Sequence, residues 1–158
     1  MRSRSTLGTV AVLAGGLAAA SLAFAPTAAA VSPGSATATY DCGSWGGGSA
    51  TLVATQSGTA ATITLTSSVT TPIPVGADQI NATLTLAKVG GGTRVFSGKK
   101  NPALPVGPVT IGPLSGTVAS GDSLNSYFAG VALKMVIFGV TVNCDALTSQ
   151  SPGPFVFS

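Results

Sequence analysis

Ala61-Thr62-Ile63-Thr64-Leu65-Thr66 alternates apolar and polar residues with a period of two, and Ile80-Asn81-Ala82-Thr83-Leu84-Thr85-Leu86 repeats the pattern. Only an extended strand sends successive side chains to opposite faces, so both segments read as strands with one buried and one solvated face. Working outward, 51–56 alternates in the same way, and Gly58-Thr59 is short enough to make it a hairpin with the 61–66 strand. Gly90-Gly91-Gly92 separates the 80–86 strand from 93–97 and supplies the positive φ that a second hairpin needs.

Beyond these hairpins the signals change. Prolines at 102, 105, 108 and 113 forbid helix and donate nothing to a ladder, so 101–113 is expected as a sheet edge or an extended crossing segment, with strand resuming at 114–119. Asp122-Ser123-Leu124 resembles a short helix start that Gly130 would end. The run 131–142 is apolar on both faces, as in a central strand covered from both sides. Ser151-Pro152-Gly153-Pro154 reads as a turn before a last short strand or hydrophobic tether, Phe155-Val156-Phe157. Seven to nine short strands with almost no helix formers predict an all-β domain, an antiparallel β-sandwich of immunoglobulin-like general architecture. It is not a true immunoglobulin domain, because Trp45 lies three residues after Cys42 and the cysteine spacing is too long.

The first thirty residues carry a different message. Arg2 and Arg4, an apolar region over 10–24 and small residues at 28 and 30 describe a signal peptide cut between Ala30 and Val31. The expected mature unit is a single secreted domain, 31–158. The other strongly apolar run, 131–142, is interrupted by Lys134 and Gly139 and is too short for a membrane-spanning helix.

The charge inventory of 31–158 is five cations (Lys88, Arg94, Lys99, Lys100, Lys134) against four anions (Asp41, Asp78, Asp122, Asp145), with no Glu and no His. Nucleic acid needs a basic face that neutralises many phosphates, and this chain has none to assemble. Near-neutral surfaces rich in Ser and Thr associate readily, which makes self-association or adhesion to wall polymer a natural partner class. Cys42 and Cys144 are the only cysteines, and in an oxidising compartment they are expected to form one disulfide joining the first strand to a late one. Closing a loop of roughly 100 residues stabilises by on the order of 4 to 5 kcal/mol on chain-entropy grounds.

Several features together resemble the small secreted β-rich proteins of high-GC Gram-positive bacteria such as Streptomyces. They are the Thr27-Ala28-Ala29-Ala30 end of the leader, Tyr40-Asp41-Cys42-Gly43, Gly112-Pro113-Leu114-Ser115-Gly116 and Val142-Asn143-Cys144. The resemblance spans the whole chain, implies an extracellular or cell-envelope setting and transfers no functional residue.

Catalytic machinery of the Ser/His/Asp or Cys/His type is excluded by the absence of His, and a paired-carboxylate site would have to be built from four Asp alone. Ser97-Gly98-Lys99-Lys100 matches Ser-x-x-Lys, but it follows a strand and has no partner motif. A metal site lacks ligands, since no His and no third cysteine accompany Cys42 and Cys144, and Asp41 with Asp145 is too sparse for calcium. No cofactor is implied. Trp45, set among glycines at 43 and 46–48, is the candidate ligand-stacking residue, with Tyr40 and Tyr127 as the other amphipathic aromatics. The alternative is that the indole folds back over the disulfide or caps one end of the sandwich. Lys88, Arg94, Lys99 and Lys100 form a candidate basic patch around one hairpin and the loop after it. The favoured function is therefore a non-catalytic secreted or envelope-associated protein with a structural, adhesive or binding role. A carbohydrate-binding module using Trp45 comes second, and a protease inhibitor presenting the 101–113 loop third.

Overall fold

A computed structural model describes residues 31–158; the predicted signal segment lies outside the described residues. Ten strands follow in order: β1 Ser35–Asp41, β2 Gly47–Ser57, β3 Ala60–Thr71, β4 Ile80–Lys88, β5 Thr93–Lys99, β6 Gly107–Thr117, β7 Ser123–Ser126, β8 Leu133–Ile137, β9 Val140–Ala146 and β10 Phe155–Val156. The expected hairpins are present, with Thr55 opposite Thr62 in β2–β3 and Leu84 opposite Phe96 in β4–β5. The expected period-two faces are also present: Ala61, Ile63 and Leu65 are buried, as are Ile80, Ala82, Leu84 and Leu86.

The architecture is a closed barrel and not the expected sandwich. Eight antiparallel strands run β4-β5-β6-β3-β2-β1-β9-β8, and β8 pairs back onto β4 through Ile80↔Ile137 to Leu84↔Leu133. Strand alternation is identical in a sandwich and in a barrel, so the sequence pattern does not separate them; closure depends on which strands meet at the two seams. Both seams are short. β5 meets β6 at Ser97↔Ser115, and β1 meets β9 at Tyr40↔Ala146 and Asp41↔Asp145. The rest of β4's edge, Leu86 to Lys88, is taken by β7, which carries β10.

Three local expectations are corrected. The 101–113 stretch is not an edge: β6 begins at Gly107, lies between β5 and β3, and contains Pro108 and Pro113. It tolerates Pro113 because a bulge falls there, with Ile63↔Leu114 and Leu65↔Ile111 leaving Gly112 and Pro113 against Thr64 alone. Gly112 has φ +109, and an added Cβ would lie 2.7 Å from the Ile63 carbonyl oxygen, so only glycine fits. The apolar run 131–142 is a hairpin and not one central strand, folded at Phe138-Gly139 between β8 and β9. No helix starts at Asp122; the backbone passes into β7, and the carboxylate accepts from the Ala119 amide at 2.9 Å.

The barrel interior is filled by graded side chains. β1 and β2 bury the small Ala36, Ala38, Ala50 and Ala54, while other strands bury larger groups such as Leu84, Phe96, Ile111 and Met135, a mixture of small and large side chains that suits a filled eight-strand interior. The tail closes one end. Phe155 and Phe157 are fully buried, Gly121 and Asp122 exchange backbone hydrogen bonds with Phe157, and Gln56 bonds both the amide and the carbonyl of Ser158.

Cys42 and Cys144 form the expected disulfide, with Cα atoms 4.0 Å apart. They continue the β1–β9 register by one position past Asp41↔Asp145, so the covalent bond extends a seam that has only two paired residues. Replacing both cysteines with Ser is expected to remove about 4 kcal/mol of stability and to lower the Tm by about 10 °C or more in calorimetry. An unchanged Tm would show that the seam holds without the crosslink.

Candidate functional site

The end of the barrel away from the tail is built by the β3–β4 connection, the β8–β9 turn and the short 3-10 turn Gly43–Trp45 that follows β1. The turn is tightly held: the Cys42 amide donates to the Gly46 carbonyl at 2.8 Å, and Asp41 Oδ1 accepts from the Gly43 amide at 3.0 Å. Trp45 is thus presented on a fixed platform beside the disulfide, with 45% of its surface exposed.

Behind the indole lies an apolar pocket of about 240 Å³. Its floor is buried Val75, Val109, Met135 and Val142, and its rim is Trp45, Ile73, Phe138 and Val140. Each rim residue is about half exposed, from 45% for Trp45 to 59% for Phe138. Thr71 also lines the pocket, and its hydroxyl is buried without a hydrogen-bond partner.

The β8–β9 turn is informative. Phe138 has φ 51° and Gly139 φ 80°, the two left-handed residues of a tight hairpin turn, a geometry that favours Asn or Gly at the first position. A bulky side chain there costs of order 1 kcal/mol in backbone strain. The ring it carries is exposed and stands between two cavities. On its other side is an open cleft of about 330 Å³ lined by Gln79, Asn81, Lys99, Val136, Phe138 and Gly139.

The three aromatic candidates are not brought together. Tyr40 points into the barrel; burial pushes its phenol up to about 12, and its hydroxyl has no partner. Tyr127 packs half-buried against the core in the β7–β8 connection, its hydroxyl donating to the Ala129 carbonyl at 3.4 Å. Only Trp45 borders the pocket.

The four cations also separate, because β4 and β5 carry them to opposite ends. Arg94 Nε and Lys88 Nζ bind Asp122 at 2.7 and 2.8 Å at the tail end of the barrel. The hydrogen bond from Arg94, then that from Lys88, holds the Asp122 carboxyl well below the usual carboxylate range. Lys99 lies five residues along β5 from Arg94, about 17 Å at the usual strand rise. Lys100 approaches Asp78 at 3.6 Å, whereas among the described residues no carboxylate lies within ion-pair distance of Lys99. Asp41 and Asp145 do become neighbours, opposite one another beside the disulfide. Among the described residues no group of three or more His, Cys, Asp or Glu gathers in one place.

Loop 101–106 is stitched to the barrel. Asn101 Oδ1 accepts from the Gln79 and Ile80 amides at 2.8 Å each, its Nδ2 donates to the Gly76 and Pro102 carbonyls, and Leu104 pairs with Val75. Sequence reasoning missed the pocket. Its signal was Pro72-Ile73-Pro74-Val75, two large apolar residues in a connection too rich in proline to be a strand, together with Phe138 beside Gly139.

No protein-family model matches the chain, and no curated protein or solved structure shows significant similarity to it.

Asp122→Asn is expected to destabilise by about 2 kcal/mol near neutral pH, the size of a charge-assisted hydrogen bond. Because the pKa is depressed in the folded state, the carboxylate's contribution is complete above the ordinary carboxylate range and is lost as pH falls below about 4. The Tm difference between wild type and variant should therefore shrink on acidification; a gap independent of pH would rule out the charge as its source.

Proposed function

We propose that the protein is a non-catalytic, secreted binding protein that takes an apolar group into the open end of its barrel. The observation that carries this reading is the exposed apolar rim of Trp45, Ile73, Phe138 and Val140 around a pocket floored by buried aliphatics. Soluble surfaces normally scatter large apolar residues singly; four of them around one concavity mark a binding surface. Eight-stranded barrels have room for one small ligand. The volume is about one and a half times that of a cavity known to take benzene. The disulfide supports an oxidising, extracellular setting.

A sugar stacked on Trp45 is the second reading, favoured by the exposure of the indole. The neighbouring Ile73, Val140 and Phe138 give sugar hydroxyls no hydrogen-bond partners, so the lining suits hydrocarbon better. An inhibitory 101–113 loop has less support, since its first half is bonded down and its second half is a barrel strand.

The single tryptophan is a built-in reporter. Octan-1-ol should produce a saturable blue shift of its emission, with a Kd on the order of 100 μM if its ~9 heavy atoms each contribute about 0.6 kcal/mol. Ile73→Asp and Val140→Asp, both at exposed positions, should weaken binding at least about tenfold with little change in Tm. A flat titration overturns the reading, and a shift elicited by soluble polysaccharide instead would move the assignment to sugar.

A further inference from the structure

We propose that the ligand is a carboxylate-headed amphiphile, its hydrocarbon in the pocket and its head against Lys99, Gln79 and Asn81. This rests on the apolar-pocket reading and adds the head group. Phe138 lines both cavities, so a ligand crossing its ring passes from a hydrocarbon surface directly to a polar one. The register fixes the second cavity: Asn81 lies opposite Lys99 on β5 and opposite Val136 on β8, which places the three side by side across adjacent strands.

The charge in this cleft is uncompensated. Lys88 and Arg94 are held by Asp122 and Lys100 lies near Asp78, but among the described residues no carboxylate reaches Lys99. No acidic residue lines either cavity, so an anion meets one ammonium and two side-chain amides with nothing to repel it. A cationic head would meet Lys99 directly and be disfavoured. The strained turn fits the same picture, because Phe138 in its left-handed conformation keeps the dividing ring at the junction.

The test compares octanoate, octan-1-ol and octylammonium at pH 8 and low salt, read by Trp45 emission on the full 31–158 domain. Octanoate is expected to bind about fivefold to tenfold more tightly than the alcohol, and octylammonium most weakly. Lys99→Gln should bring the octanoate-to-alcohol affinity ratio down to about one, and Lys99→Glu should invert the order of the two ions. Equal affinity for octanoate and the alcohol, or a preference that survives Lys99→Gln, overturns the head-group assignment while the pocket stands. Binding of none of the three overturns the pocket reading and this proposal together.

Discussion

Closure of the barrel between β1 and β9 is the constraint on which the rest depends. The two strands share only Tyr40↔Ala146 and Asp41↔Asp145 before the Cys42–Cys144 bond takes over. Without closure there, Tyr40 would sit at an open edge, Val142 would lose its neighbours across the interior, and the platform bearing Trp45 would be untethered from β9. A ladder of two residues is weak support for a sheet of this size. Placing the covalent bond in register at the end of that ladder turns a weak junction into one that thermal fluctuation does not open. The partner positions of β1 farther along are held by the chain after β9, through Leu147, Thr148 and Ser151 bonded to Thr39 and Thr37.

The two ends of the barrel solve different problems. At one, Asp122 gathers Lys88 and Arg94, Phe155 and Phe157 fill the interior, and Gln56 fastens the tail. The charged side chains there are paired with one another and the two tail phenylalanines are covered, while Val89 and Val156 stand exposed singly. At the other end four half-exposed apolar side chains gather around one concavity, a phenylalanine occupies a left-handed turn position and Lys99 has no carboxylate partner among the described residues. Departures from local rules that cluster in this way concentrate where a protein meets something else.

How much of this was legible in the sequence depended on the range of the signal. Period-two alternation revealed β2, β3 and β4 with their buried faces, since inward and outward positions are fixed by neighbours two residues apart. Two lone cysteines in a chain expected to be exported revealed the crosslink. The barrel was hidden because closure is a fact about β4 meeting β8 and β1 meeting β9, pairs far apart in sequence. β8 and β9 merged into one apparent strand because Phe138 occupies a position where Asn or Gly would have announced the turn. β6 was obscured by prolines that a bulge and a short seam accommodate. Of the candidate site, Trp45 and Lys99 were visible as residue types, but the aliphatic floor was not, because pocket-lining valines look like any other core valines until the strands are placed.

The threonines on the outer wall carry a consequence for how this chain survives at high concentration. Thr55 and Thr62 bond each other across β2–β3 at 2.7 Å, and Thr66 and Thr110 across β3–β6 at 3.2 Å. With five cations against four anions in the domain, electrostatic repulsion between copies is nearly absent. What limits strand pairing between copies is therefore geometric: closure into the eight-strand ring pairs every strand with a neighbour on both sides, if only briefly at two seams, and the short β10 outside it is bridged by Ser32. Protection against edge-to-edge strand pairing here rests on topology in place of charge, so it should vary little with salt as long as the ring stays shut.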